Sequence, residues 1–478
     1  MINKVSLYVL FFLTCSNVYA QNIVEDDLGG FEVEAVQEKT VEVSDDLAGF
    51  GEEEVSLESS TENKEENIFS LSGNLAFKTS AGYKKHKVDG IEYSGINQAQ
   101  TSLSLQLDSK LSEKWKMRIS TNMFYDAIYD LYSHNNYSSD IKDDYKTQIR
   151  IDDAYVQGKI NSNIDLKIGR QIVVWGKSDS LRVTDVINPL DNRLPGMTDI
   201  EDLRLSVGMA KLDYYFGKWN FSFIAIGENR IMIEAPPRSE FFPVDEIFPS
   251  APNPFLELKT PSNSLNNMQY AMAANGVFSG WDLSFYAAHV LDQKWNFDNV
   301  QGSVPLIGIT RVVNKINMLG TAINIATGSW LLKSEIAFLS GVGYNSTADE
   351  KNRLDVLFGF DYMGIKDAVA SFEVVNRHIF NHENQMKNQS DYVDKNEMQT
   401  ALRFTKSYSN DTLNTSALLS MFGSNWENGG FTRIWVEYEI MDAVSANLGV
   451  VDYIGGDRPF MEANKENDRI FADITYSF

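Results

Sequence analysis

Residues Ile164–Pro195 read IDLKIGRQIVVWGKSDSLRVTDVINPLDNRLP. Ile164, Leu166 and Ile168 alternate with Asp165, Lys167 and Gly169. That period of two belongs to a strand with one apolar and one polar face. An apolar run that includes Trp175 follows, and then a long polar stretch. The change of pattern predicts a barrel strand whose following loop folds into the barrel mouth. Strict alternation aims Arg170 outward and Gln171 and Trp175 inward. A desolvated outward arginine is costly in lipid. The favoured expectation is therefore a β-bulge at Gly169 that turns Arg170 into the lumen. The alternative is a strand that continues past Gly169 with Trp175 lining the mouth. Arg170, Gln171, Trp175, Lys177, Arg182, Asp185, Asn188, Asp191 and Arg193 together form the predicted constriction.

The same period runs outward from this stretch in both directions. Ser102 to Asp108 alternates strictly, and Trp115, Met117 and Ile119 alternate with Lys116, Arg118 and Ser120. Trp330, Leu332, Ile336 and Phe338 share a face opposite Lys333 and Glu335. Ile434, Val436, Tyr438 and Ile440 stand against Trp435, Glu437 and Glu439. A soluble sandwich alternates too. Here, however, segments of roughly ten residues are joined by short and long connections in turn, as in outer-membrane barrels. The last segment, Ile470 to Phe478, alternates to a terminal Phe. It resembles the aromatic end strand that serves as an assembly signal to the barrel assembly machinery in Gram-negative outer-membrane proteins. The segments predict an all-β fold, a transmembrane antiparallel β-barrel of about 18 strands spanning residues 68–478, with both ends on the periplasmic side. Period-two boundaries are soft, and 16 is the alternative count.

Residues 1–20 read as a secretory signal: Lys4, the apolar run Val5–Leu13, and Val18-Tyr19-Ala20 before Gln21. Cys15, the sole cysteine, falls inside it, so the mature chain is expected to carry no disulfide and no cysteine-based site. No run is apolar enough for a spanning helix. The net charge of −24 argues against nucleic acid, which selects lysine and arginine clusters. Residues 21–67 hold 16 acids and two lysines and too few large apolar side chains to fold alone, which predicts a disordered acidic periplasmic tail. Asp26-Asp27-Leu28-Gly29-Gly30-Phe31 recurs as Asp45-Asp46-Leu47-Ala48-Gly49-Phe50. The plain reading is a solvated acidic leader. The functional one is a pair of docking motifs, in which Leu28, Phe31, Leu47 and Phe50 enter a partner's apolar groove while Asp26, Asp27, Asp45 and Asp46 steer the encounter.

Ile233 to Asn263 gathers seven prolines with Phe241, Phe242, Phe248 and Phe255. It is either a stiff loop packed over the rim or an apolar flap that passes a lipid-like molecule. His378 and His382, four apart, fall in an expected loop with no third ligand, so no metal or other cofactor is predicted. A barrel hydrolase would need a Ser-His-acid set on the outer wall. His289 is its one plausible base, and no nucleotide or hydrolase motif accompanies it. The inward charges, among them Arg118, Lys167, Lys333, Glu335, Glu437 and Asp473, carry both signs and predict no strong ion selectivity.

Gly169-Arg170-Gln171 with Trp175-Gly176, and then Ile187-Asn188-Pro189-Leu190-Asp191, resemble one family. It comprises Gram-negative outer-membrane barrels encoded beside RND-superfamily exporters of the MMPL type and a LolA-like periplasmic carrier. The resemblance spans Ile68–Phe478. It implies a conduit for hydrophobic or lipid-like cargo that works with an inner-membrane RND transporter, with outer-membrane lipid around it and the acidic tail as docking arm. A non-transporting barrel (structural protein, adhesin or receptor) is the alternative, and a lipid hydrolase the third. TonB-dependent receptors carry a plug far longer than the 47-residue tail.

Overall fold

A computed structural model describes residues 68–243, 255–297, 309–388 and 391–478. The expected signal segment and acidic tail, with both D-D-L-x-G-F motifs, lie outside the described residues. Eighteen strands form the wall. They are β1 (Phe69–Gly82), β2 (Gly95–Lys110), β3 (Trp115–Asp126), β4 (Thr147–Asn161), β5 (Ile164–Gln171) and β6 (Val207–Phe216). Then come β7 (Trp219–Ile226), β8 (Gln269–Phe278), β9 (Trp281–Leu291), β10 (Lys315–Thr327), β11 (Trp330–Tyr344) and β12 (Thr347–Ile365). The last six are β13 (Ala368–Ile379), β14 (Asn396–Tyr408), β15 (Leu413–Phe422), β16 (Gly430–Met441), β17 (Val444–Ile454) and β18 (Arg469–Ser477).

Each strand pairs antiparallel with the next, and β18 pairs with β1 from Asn74↔Ser477 to Ala81↔Ile470. Gly73 and Phe478 exchange two backbone hydrogen bonds of 2.9 Å at the seam. The ring is closed, so no sheet edge is left for lipid to face. The expected count of 18 holds. One hairpin exceeds the expected segments of roughly ten residues: Val342↔Lys351 carries the β11–β12 pairing across a register shift.

The outer face reverses the surface of a soluble protein. Leu319 and Phe358, on the outer face, are 65% and 62% exposed, while Glu335 and Glu373, on the inner face, are each 1% exposed. Large exposed apolar surface of this extent needs an apolar solvent. Aromatic rings mark the short-turn end: Phe278 stacks on Trp281 at 4.3 Å and meets Trp219 at 5.7 Å, and Trp330 lies 4.5 Å from Tyr362. Such rings sit where hydrocarbon gives way to headgroups. Outer-face rings also lie nearer the long-loop end, where Phe338 is 6.2 Å from Phe380.

Phe358 lies between these aromatic levels. Phe358→Arg is expected to lower unfolding free energy in vesicles by about 2–4 kcal/mol, the cost of a cation deep in the bilayer. Denaturant titration of the folded fraction measures it, and a loss below about 1 kcal/mol would show that this face does not meet lipid.

Candidate functional site

Residues 172–206, the connection from β5 to β6, turn inward and lie against the opposite wall. Two carboxylates receive them. Glu335 on β11 accepts hydrogen bonds from the backbone N–H of Lys177 (2.6 Å), Ser178 (2.9 Å) and Thr184 (3.1 Å) and from the Thr184 hydroxyl (2.7 Å). Glu373 on β13 accepts from the Ser178 hydroxyl (2.6 Å) and from the N–H groups of Asp179, Ser180 and Leu181 at 2.9–3.1 Å. A buried carboxylate is costly without such donors. Each charge-assisted bond contributes about 1.5–3 kcal/mol. Two positions permit this fit. Gly176 has φ +90° and lies so close that an added Cβ would meet Glu335 Oε1 at 2.8 Å. Gly320, on the facing wall, leaves room for the Thr184 methyl. Lys333 completes the knot through Asp179 and Asp361.

Flanking contacts hold the ends of this segment. Trp175 stacks on Tyr286 at 4.7 Å, and Lys177 pairs with Asp282 at 2.8 Å. Asn188, fully buried, accepts from Val173 N–H and donates to Leu205 O, both at 2.8 Å, tying entry to exit. Arg182 bridges Gln293, Asp185 and Asn188 O. Asp185 also pairs with Arg204 at 2.9 Å. Asp191 sits between Arg193 (2.6 Å) and Arg150 (3.1 Å). Burial alone would push the Asp191 carboxyl up, but the two guanidiniums more than offset that and hold it below the ordinary carboxylate value.

These positions redistribute the predicted constriction. Pairing of β5 with β6 runs from Ile164↔Tyr214 to Gln171↔Val207 without a register shift, so there is no bulge at Gly169 and Arg170 is not turned into the lumen. Arg170 stays outward at the strand end, where Glu228 neutralises it at 2.5 Å and Ile151 O accepts a further bond. That counter-charge removes the cost that motivated the bulge. Trp175 is packed against the wall, and Gln171 and Asn188 are fully buried fasteners. Of the nine residues, Asp191 and Arg193 line the open chamber described below. Glu373, Tyr286 and Gln293 do much of the holding and were not singled out. The only sequence signal for Glu373 is a lone acid on the polar face of an apolar strand.

In its described part the proline-rich loop packs at the rim, where Glu240 O and Phe241 O accept from Asn467 and Asn464 of the last long loop. Phe241 and Phe242 insert into the mouth, with Phe241 5.7 Å from Tyr453 and under the Arg469 guanidinium. His378 belongs to β13 rather than a loop and contacts Asn396, while His382 contacts Val393 O. No metal-binding group of three occurs among the described residues. His289 faces outward and contacts Asn317 at 2.8 Å; Ala287, Leu319 and Tyr270 beside it bring no serine.

Three cavities surround the inserted segment. A polar chamber of about 470 Å³ lies against β1–β4 and β16–β18, lined by Lys78, Asn122, Arg150, Asp191, Arg193, Glu437 and Asp473. An apolar cavity of about 250 Å³ lies behind it, walled by Leu190, Ile200, Leu203, Phe241, Leu418 and Phe431. Thr198, Asp199 and Leu203 line both. A third, about 220 Å³, sits under the β1–β2 and β3–β4 loops and is lined by Tyr93, Tyr129, Tyr132, Tyr137 and Tyr145.

Glu335→Ala with Glu373→Ala strips the segment of its acceptors. Amide hydrogen exchange over residues 177–184 is expected to accelerate at least about tenfold while the strands stay protected. Unchanged protection of Ser178–Leu181 would show that the carboxylates do not hold the segment.

A family model described as "Protein of unknown function (DUF1302)" matches residues 15–478. No curated protein matches the sequence. Among solved structures, OccAB4 of Acinetobacter baumannii is similar at 10% identity, covering 87% of this chain and 100% of its own, with a TM-score of 0.49. The outer membrane protein OpdK of Pseudomonas aeruginosa is similar at 10% identity, 86% and 99% coverage and a TM-score of 0.48. A loop-deletion mutant of OmpT, an outer membrane protein of Vibrio cholerae, gives 8%, 86%, 99% and 0.40. Identities of this size leave side chains unconstrained, and no residue role passes from those proteins to this one. The family match runs through the barrel and its inserted segment alike, and the chain belongs to the DUF1302 family of proteins of unknown function.

Proposed function

We propose that this protein is an outer-membrane conduit for hydrophobic or lipid-like cargo, closed at rest by residues 172–206. The observation that carries the reading is the apolar cavity of about 250 Å³ inside the barrel, beside a polar chamber and separated from it by the inserted segment. The interior of a wide barrel is ordinarily polar. An inward wall of Ala401, Leu418, Phe431, Val451 and Tyr453 is therefore a departure that a water-soluble solute would not require. In this reading the short turns and both strand ends face the periplasm, and the long loops face outward. The acidic tail reaches a periplasmic or inner-membrane partner, an RND transporter of the MMPL type or a LolA-like carrier, through Leu28, Phe31, Leu47 and Phe50. The protein moves cargo and catalyses no reaction. A receptor reading has one observation in its favour, the tyrosine-lined cavity at the long-loop rim.

Two measurements test the proposal. Replacing residues 178–197 with a Gly-Ser linker is expected to raise single-channel conductance in planar bilayers at least about tenfold, since the segment fills a lumen otherwise wide enough for water. Equal conductance in both proteins would exclude the segment as the closure. Phe31→Ala with Phe50→Ala is expected to abolish co-purification of the periplasmic partner; undiminished recovery would remove the tail from docking.

A further inference from the structure

Asp199 precedes the short helix Ile200–Leu203, at the position where an aspartate ordinarily caps the first turn. Its side chain makes no cap hydrogen bond. Instead the carboxylate reaches across the lumen to Arg403 on β14, at 3.0 Å, and to Arg433 on β16. Among the described residues it is the one carboxylate within ion-pair distance of either guanidinium. Arg433 is 4% exposed, and its Nε has no hydrogen-bond partner. Two guanidiniums therefore share a single anion, and a buried donor goes unused. Both stand over the same indole: Arg433 lies 4.0 Å and Arg403 5.5 Å from the Trp435 ring centroid. Trp435 is itself buried. Cation–π contact of this kind keeps the guanidiniums in place whether or not Asp199 is present.

The location gives this cluster a second meaning. Arg403 lines the apolar cavity, Arg433 lines the polar chamber, and Asp199 lines both. A molecule lying in the apolar cavity would present its polar end at these arginines. We propose that the cavity holds the apolar body of an amphipathic carboxylic acid, whose carboxylate replaces Asp199 on Arg403 and Arg433 and so releases the segment around Asp199–Leu203. Asp199 is then the internal stand-in for the cargo's head group. The inference rests on the conduit reading and adds to it the class of cargo and the contact that opens the path. Planar guanidiniums match a carboxylate in geometry as well as charge, so a neutral ester or alcohol is not an equal substitute.

The test uses the full chain in detergent with the fluorescent polyene cis-parinaric acid and its methyl ester as probes. The acid is expected to bind at least tenfold more tightly than the ester. Arg403→Gln should cost the acid about tenfold, leave the ester unchanged, and be partly rescued by Arg403→Lys. Asp199→Asn, which removes the competing carboxylate, should tighten acid binding several-fold; a purely structural ion pair predicts no such gain. Heat-dependent gel mobility reports folding of each variant. Equal binding of acid and ester, both insensitive to Arg403→Gln, would overturn the head-group assignment while leaving the apolar-cargo reading intact. Binding of neither probe to the wild type or to Asp199→Asn would overturn both.

Discussion

Glu335 and Glu373 are buried carboxylates on the inner wall, and the interior of this barrel is organised by what satisfies them. Neither is neutralised by a nearby cation alone. Each is wrapped by backbone N–H and hydroxyl donors from residues 177–184. The segment cannot leave without stranding two charges and several amides in a low-dielectric space. The narrowing contributed by residues 172–206 follows from that anchorage. Tyr286 stacks on Trp175, Gly320 gives way to Thr184, and Asn188 ties both ends of the segment together.

The same segment divides into parts of unequal firmness. Residues 173–188 are held by buried carboxylates, a stacked indole and an asparagine with three backbone bonds. Residues 195–203 rest on Asp199, on the Tyr453 hydroxyl that donates to Pro195 O at 2.5 Å, and on apolar packing beside two cavities. The inserted Phe241 and Phe242 narrow the same mouth from the proline-rich loop, so two connections close one lumen.

Much of the wall was legible in the residues. Leu103, Leu105 and Leu107, Trp330 to Phe338 and the terminal Ile470–Phe478 strand all carry the period of two, and that period sets which side chains face lipid. The count of about 18 strands follows from it. The site was legible only in part. The stretch from Ile164 to Pro195 could be recognised as strand followed by inserted loop, and Lys333 and Glu335 as inward charges. No bulge forms at Gly169, because the cost of an outward Arg170 is met by a residue outside its own strand. That residue, Glu228, lies 58 residues away in sequence and beside it in the sheet.

The sequence by itself determined the wall, because alternation is a local property and a one-residue slip would turn every apolar side chain from lipid to water. Only the tertiary structure decided the interior. Which carboxylate receives which amide, and which arginines share Asp199, depends on side chains about 160 to 235 residues apart brought together by closure of the ring. No periodic signal encodes such pairings, since they satisfy buried polar groups one by one rather than along a repeating face.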